Sequence, residues 1–158
     1  MTTLFIIATI IILAYPIYFK VKHDITYISE SYYFLESIKK GLGLIFTIWC
    51  VAPAFLLFPV WVEIMPKNLQ FIAFLNVVAL AGVGCAPRFK SLPKKQHYIF
   101  AILTIILAIA SSCILGVWQI PLIMLLPTIL ISFKKRDFIF WVEFEMLLSL
   151  IITLSIYL

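Results

Sequence analysis

Arg88-Phe89-Lys90-Ser91-Leu92-Pro93-Lys94-Lys95 sets four cations between two long apolar runs. Two other segments repeat the arrangement. Residues 20–40 hold Lys20, Lys22, Lys39 and Lys40, and residues 134–137 hold Lys134, Lys135 and Arg136. The three segments carry eleven of the chain's twelve basic residues, and Lys67 stands alone between them. Cations beside short loops stay on the cytoplasmic side when a chain inserts, because moving them across hydrocarbon is costly. The three basic segments are therefore assigned to the cytoplasm and the alternate connections to the other side.

Working outward, the apolar runs divide into six spans at about 4–19, 41–62, 69–86, 97–115, 117–133 and 138–158. Each is near the ~20 residues that cross ~30 Å of hydrocarbon at ~1.5 Å per residue. The stretch 97–133 is too long for one crossing, and Gly116-Val117-Trp118-Gln119 is its only plausible turn. The expected fold is all-α: a single six-helix transmembrane domain over 1–158, with both termini outside the cytoplasm. Lys20 and Lys22 follow the first apolar run rather than precede it, so that run is read as a retained anchor and not a cleaved signal.

Composition agrees. Of 158 residues, 65% are hydrophobic and 12% charged, with mean hydropathy +1.17. Soluble domains carry about a quarter charged residues, so water cannot be the medium around most of this surface. The net charge of +5 is divided among membrane-flanking loops, which argues against a nucleic-acid partner. Cys50, Cys85 and Cys113 lie in apolar runs and read as small hydrophobes, with neither a disulfide nor a metal expected. Tyr15, Tyr18 and Tyr98 are expected near the inner interface, and Trp61, Trp118 and Tyr157 near the outer one.

Loop 20–40 is the one long connection. Ile25, Ile28, Tyr32 and Leu35 share a helical stripe, with Glu30 and Ser37 pointing away, so a short interfacial helix and an irregular loop both fit. The polar group Ser29, Glu30, Ser31, Tyr32, Tyr33 in this loop falls on the same membrane face as His97, Glu143 and Glu145. Glu145 lies roughly 10 Å into its span, where a carboxylate costs about 2 kcal/mol or more and usually faces a bundle or a wet cavity. With His97 it is a candidate for proton or ion handling; the plainer reading is a carboxylate that snorkels or pairs with a loop cation. Glu143 is shallower and on another face of the helix. His97 alone is a weak metal ligand, since zinc wants three or four protein ligands and no H-x-x-x-H or C-x-x-C occurs. No cofactor is expected.

Asn76, mid-span, reads first as an interhelical hydrogen-bonding group and second as a substrate contact. Ala79, Ala81, Gly82 and Gly84 suit a close helix crossing. Pro53 and Pro59 in span two, and Pro121 and Pro127 in span five, are read as kinks bordering an outward vestibule. Both pairs lie toward the outer half, which argues against an inverted repeat. Membrane lipids are the expected partners, with Arg88, Lys90, Lys94 and Lys95 able to meet anionic headgroups. A protein partner or a homo-oligomer is the other possibility.

Ile28-Ser29-Glu30-Ser31-Tyr32-Tyr33, together with Gly82-x-Gly84-x-Ala86-Pro87-Arg88-Phe89-Lys90 running into His97-Tyr98-Ile99-Phe100-Ala101, resembles a family of uncharacterised bacterial polytopic membrane proteins. That resemblance implies a six-span architecture in a bacterial cytoplasmic membrane and a role for Ser29, Ser31, Tyr32, Tyr33 and His97. A more distant likeness is to the ceramidase and progestin-receptor group of membrane hydrolases, whose pattern has a late H-x-x-x-H. Here the last span has Glu143 and Glu145 and no histidine, a departure that argues against metal-dependent hydrolysis. Three functions fit, in this order: a lipid- or partner-binding accessory module, a small transporter or ion path through Glu145 and Asn76, and an intramembrane enzyme acting on lipid headgroups at the cytoplasmic face.

Overall fold

The computed structural model describes residues 1–88, 94–132 and 137–158, with only the backbone course given for Lys94, Lys95 and 130–132. The described residues form seven α-helices and no strand. They are α1 Thr2–His23, α2 Glu30–Ile38, α3 Leu44–Ile64, α4 Phe71–Cys85, α5 Lys94–Ile114, α6 Gln119–Ser132 and α7 Phe138–Ser155. Short 3₁₀ turns, Lys67–Leu69 and Ala86–Arg88, lengthen α4 at both ends. Among the described residues five stretches are long and apolar enough to cross a membrane: α1, α3, α4 with its flanking turns, α5 and α7. The sixth apolar helix, α6, has 14 residues and reaches only ~21 Å at ~1.5 Å per residue.

The helices turn their apolar residues outward as well as inward. Ile10, Phe55 and Ile123 are each about 60% exposed, which is what a surface bathed in hydrocarbon requires. Inside, Ala8, Ala54, Leu57, Ala73, Val77, Met146 and Leu154 form one core through the bundle. Phe19, Ile25, Ile28, Phe46, Trp49 and Phe140 form a second beneath the α1–α2 connection. Trp61, expected in an aromatic belt, is 1% exposed and belongs to the first core.

Helix α1 ends at Asp24, whose left-handed backbone (φ 48°) a short polar side chain tolerates, and whose N–H returns to the Lys20 carbonyl. The α1–α2 connection is irregular up to Ser29, so Ile25 and Ile28 are buried by a folded segment and not by a helical stripe. Glu30 does not point away: its Oε2 accepts from the Thr26 N–H at 2.6 Å and the Thr26 hydroxyl at 2.9 Å, fastening the segment to the start of α2. At the other end of α2, Glu36 accepts from the N–H of Gly41, where φ is 97°.

The small residues of α4 do bring helices together. A Cβ on Gly84 would lie 2.5 Å from Cys50 Cβ, and Thr47 donates to the Gly84 carbonyl at 2.8 Å, so α3 and α4 cross at near-backbone contact. A Cβ on Gly82 would strike the Phe100 ring on α5. Gly116, with φ 75°, makes the α5–α6 turn at the place the sequence expects. Pro53, Pro59 and Pro127 lie within helices, as does Pro16, which the kink reading omitted. Pro121 is corrected: it is the third residue of α6, in a first turn whose N–H groups have no intrahelical partner, so it needs no kink.

Two contacts set the direction of α7. Asp137, at its start, pairs with Lys20 near the end of α1 at 2.6 Å. Tyr157, past its end, donates to the carbonyl of Leu115 just beyond α5.

Candidate functional site

A cavity of about 280 Å³ opens among α3, α4, α5, α7 and the α1–α2 connection. Its floor is Phe46, Trp49, Cys50, Leu80 and Val83; α5 and α7 form the walls. Ile102 and Ile139 line it and are 57% and 56% exposed, so the walls run out to the apolar exterior. Four side chains with polar ends enter the lining: Ser29, Tyr98, Thr104 and Glu143. The Trp49 indole N–H is already committed to the Ile11 carbonyl at 2.8 Å.

Glu143 is the hinge of this site. Its Oε2 accepts the Ile28 N–H at 2.7 Å, a bond between α7 and the folded connection. A second link lies alongside, where the Phe140 N–H donates to the Thr26 carbonyl at 3.1 Å. Phe140 is in the first turn of α7, whose N–H groups have no partner within the helix, so the connection supplies one. Lys20 completes the fastening. Its ammonium reaches Asp24 Oδ1 at 2.7 Å, the Ile25 carbonyl at 3.0 Å and Asp137 Oδ2 at 2.6 Å.

The polar loop residues divide in their roles. Ser31 is fully buried, accepting from the Tyr15 hydroxyl at 2.9 Å and donating to the Ile28 carbonyl at 2.7 Å. Tyr15, expected at the inner interface, is thus part of this buried pairing and stacks on Trp49 with centroids 4.7 Å apart. Tyr32 packs edge-on to Phe46, and Tyr33 is exposed. Burial, and then the nearby Glu36, pushes the Tyr32 phenol above its ordinary range; burial and then Glu30 do the same to Tyr27.

His97 and Glu145 are not brought together. His97 Nδ1 lies 3.2 Å from the Val83 carbonyl, which puts the ring proton on Nδ1 and ties α5 to α4. Glu145 is outside the cavity lining, and its buried Oε2 has no hydrogen-bond partner. Asn76 is 2% exposed, and its amide nitrogen is fully engaged, donating to the Ile72 carbonyl at 3.1 Å and to Ser111 Oγ at 2.9 Å. Neither Asn76 nor Ser111 lines the cavity. Ser112 and Thr153 share a hydrogen bond of 3.1 Å between α5 and α7.

Among the described residues no three His, Cys, Asp or Glu side chains gather as a metal site would need. Arg88 is exposed at the end of its 3₁₀ turn. Lys90, and the side chains of Lys94 and Lys95, lie outside the described residues, as does the basic turn 134–136.

Lys20 and Thr104 are site residues that sequence reasoning passed over. Lys20 was counted only as a topological charge. Thr104 carried no motif, and its place on the cavity wall depends on how α5 is rotated. Comparison with family models, curated proteins and solved structures finds no match for this chain.

Proposed function

We propose that this chain is an accessory membrane protein that holds a lipid-like amphiphile in the cleft between α5 and α7. The observation that carries the reading is the cleft itself: about 280 Å³, apolar along its length, reaching the exterior at Ile102 and Ile139, and polar at the Ser29–Glu143 end. Small-molecule sites are usually apolar hollows of roughly 300–1,000 Å³ with a few placed polar groups. An occupant entering between exposed isoleucines comes from the bilayer. The other readings have less behind them. An ion path needs polar groups continuing past Asn76, which is spent on Ile72 and Ser111. A headgroup enzyme acting through His97 and Glu145 needs them in reach of one another, and they share no hydrogen bond or ion pair.

The proposal includes six crossings with both termini outside the cytoplasm, in the cytoplasmic membrane of a bacterium. The Lys20–Asp137 pair supports it by holding the end of α1 and the start of α7 at one face. The Tyr157–Leu115 bond holds the end of α7 beside the end of α5. On this reading the chain leaves α5 at one face and enters α7 at the other, and α6 is the sixth crossing despite its length. The inner membrane and the sidedness rest on the charge bias of the loops and on the resemblance.

The test is photo-crosslinking of an alkyl diazirine probe to protein in nanodiscs, with peptide mapping. Label concentrated on Ala101–Ala108 and Phe138–Leu150, and reduced in Ala108→Phe protein that keeps its melting temperature, is expected. Label spread evenly over the outward helix faces, including Ile10 and Phe55, would refute the proposal.

A further inference from the structure

Within a bilayer, an alkyl chain gains little by leaving lipid for an apolar cleft, because lipid tails are as apolar as leucine. Selection of an occupant therefore falls to the polar end, given that the cleft holds an amphiphile at all. Glu143 Oε2 is engaged by the Ile28 N–H, while Oε1 accepts no hydrogen bond among the described residues. Thr104 donates its own hydroxyl proton to the Phe100 carbonyl at 2.8 Å, which leaves its oxygen to the cleft as an acceptor only. Ser29 is 6% exposed and lines the cleft, and its hydroxyl makes no hydrogen bond among the described residues. No cationic side chain lines the cleft among the described residues. Lys20, close to this end of α7, has each of its donors in use.

We infer that the Ser29–Thr104–Glu143 end of the cleft takes a small hydrogen-bond-donating group, a hydroxyl or an ammonium, carried on an alkyl chain. A carboxylate or phosphate there would face the Glu143 carboxyl, and among the described residues no cation lines the cleft to offset it. Depth points the same way. Glu143 is the sixth residue of α7, some 8 Å inside the helix start at ~1.5 Å per residue, where a bulky hydrated headgroup does not belong.

Four amphiphiles with one dodecyl chain separate the possibilities: the alcohol, the amine, the carboxylic acid and the phosphate, each competing with the alkyl diazirine probe in nanodiscs. Alcohol and amine are expected to protect the α5 and α7 peptides at concentrations about tenfold lower than acid or phosphate, the size of one charge-assisted hydrogen bond. Glu143→Gln, whose single oxygen stays with the Ile28 N–H, turns an amide N–H donor toward the cleft, so it should lose the advantage of the amine and bring the acid closer to the alcohol. Thr104→Val, which leaves the Ile28 bond in place and removes an oxygen that can only accept, should narrow the gap between alcohol and acid. Equal protection by all four, or stronger protection by acid or phosphate, overturns the headgroup inference while leaving cleft binding intact. An absence of cleft labelling in the wild-type protein removes the amphiphile reading itself, and this inference with it.

Discussion

Replacing Lys20 by methionine tests whether this residue is a structural clasp or only one of the cations that orient the chain. The ammonium has three N–H groups, and the structure uses them on Asp24, Ile25 and Asp137 at 2.7, 3.0 and 2.6 Å. The Lys20 and Asp137 side chains are 15% and 20% exposed. Breaking a fully buried pair costs about 3–5 kcal/mol, because the surviving charge stays desolvated; an exposed pair contributes about 0–1 kcal/mol. A pair with a fifth of one partner still wet falls between, and about 2 kcal/mol is expected. Methionine keeps an apolar stem and loses the ammonium, which also stands 5.4 Å from the Phe140 ring centroid, so the loss is electrostatic. For a chain of this length that corresponds to a melting temperature lower by roughly 4–8 °C. The assay is thermal unfolding in nanodiscs, with Lys22→Met as the control. Lys22 is exposed and belongs to the same basic segment, so its loss changes the topological charge equally. In an Asp137→Asn background the Lys20→Met change should cost less than half as much, since the two share one interaction. Equal effects of the two lysine substitutions, or full additivity with Asp137→Asn, would refute the clasp.

Other positions give sharper structural checks. Gly84→Ala should destabilise by about 1–3 kcal/mol, because its methyl would sit 2.5 Å from Cys50 Cβ and 3.1 Å from the Thr47 carbonyl, and neither can swing aside; a wild-type melting curve would show that α3 and α4 do not cross there. Glu145→Leu should raise stability by about 1–2 kcal/mol by removing a buried oxygen that has no partner. A loss of stability instead would mean that the carboxylate is engaged. Asn76→Ala should cost about 1 kcal/mol through the Ser111 and Ile72 bonds, with probe labelling of the cleft unchanged; a shift in labelling would bring Asn76 into the site.

The helical character, the five membrane-length apolar helices and the α5–α6 turn at Gly116 were legible in the sequence, because a backbone in hydrocarbon must satisfy its own hydrogen bonds and so forms helices wherever apolar residues run long enough. The close crossing at Gly82 and Gly84 was legible for a similar reason, since small side chains admit a neighbour whatever it is. Lateral choices were not. Glu143 and Glu145 are two residues apart on one helix, and the sequence favours the deeper one. Only the rotation of α7 within the bundle decides that Glu143 meets Ile28 and the cleft while Glu145 faces elsewhere. Likewise Lys20, one cation among eleven by its spacing, becomes a clasp only because residue 137 arrives beside it after five intervening helices. Positions along a membrane helix follow from local composition, whereas its azimuth and neighbours depend on the whole packed bundle.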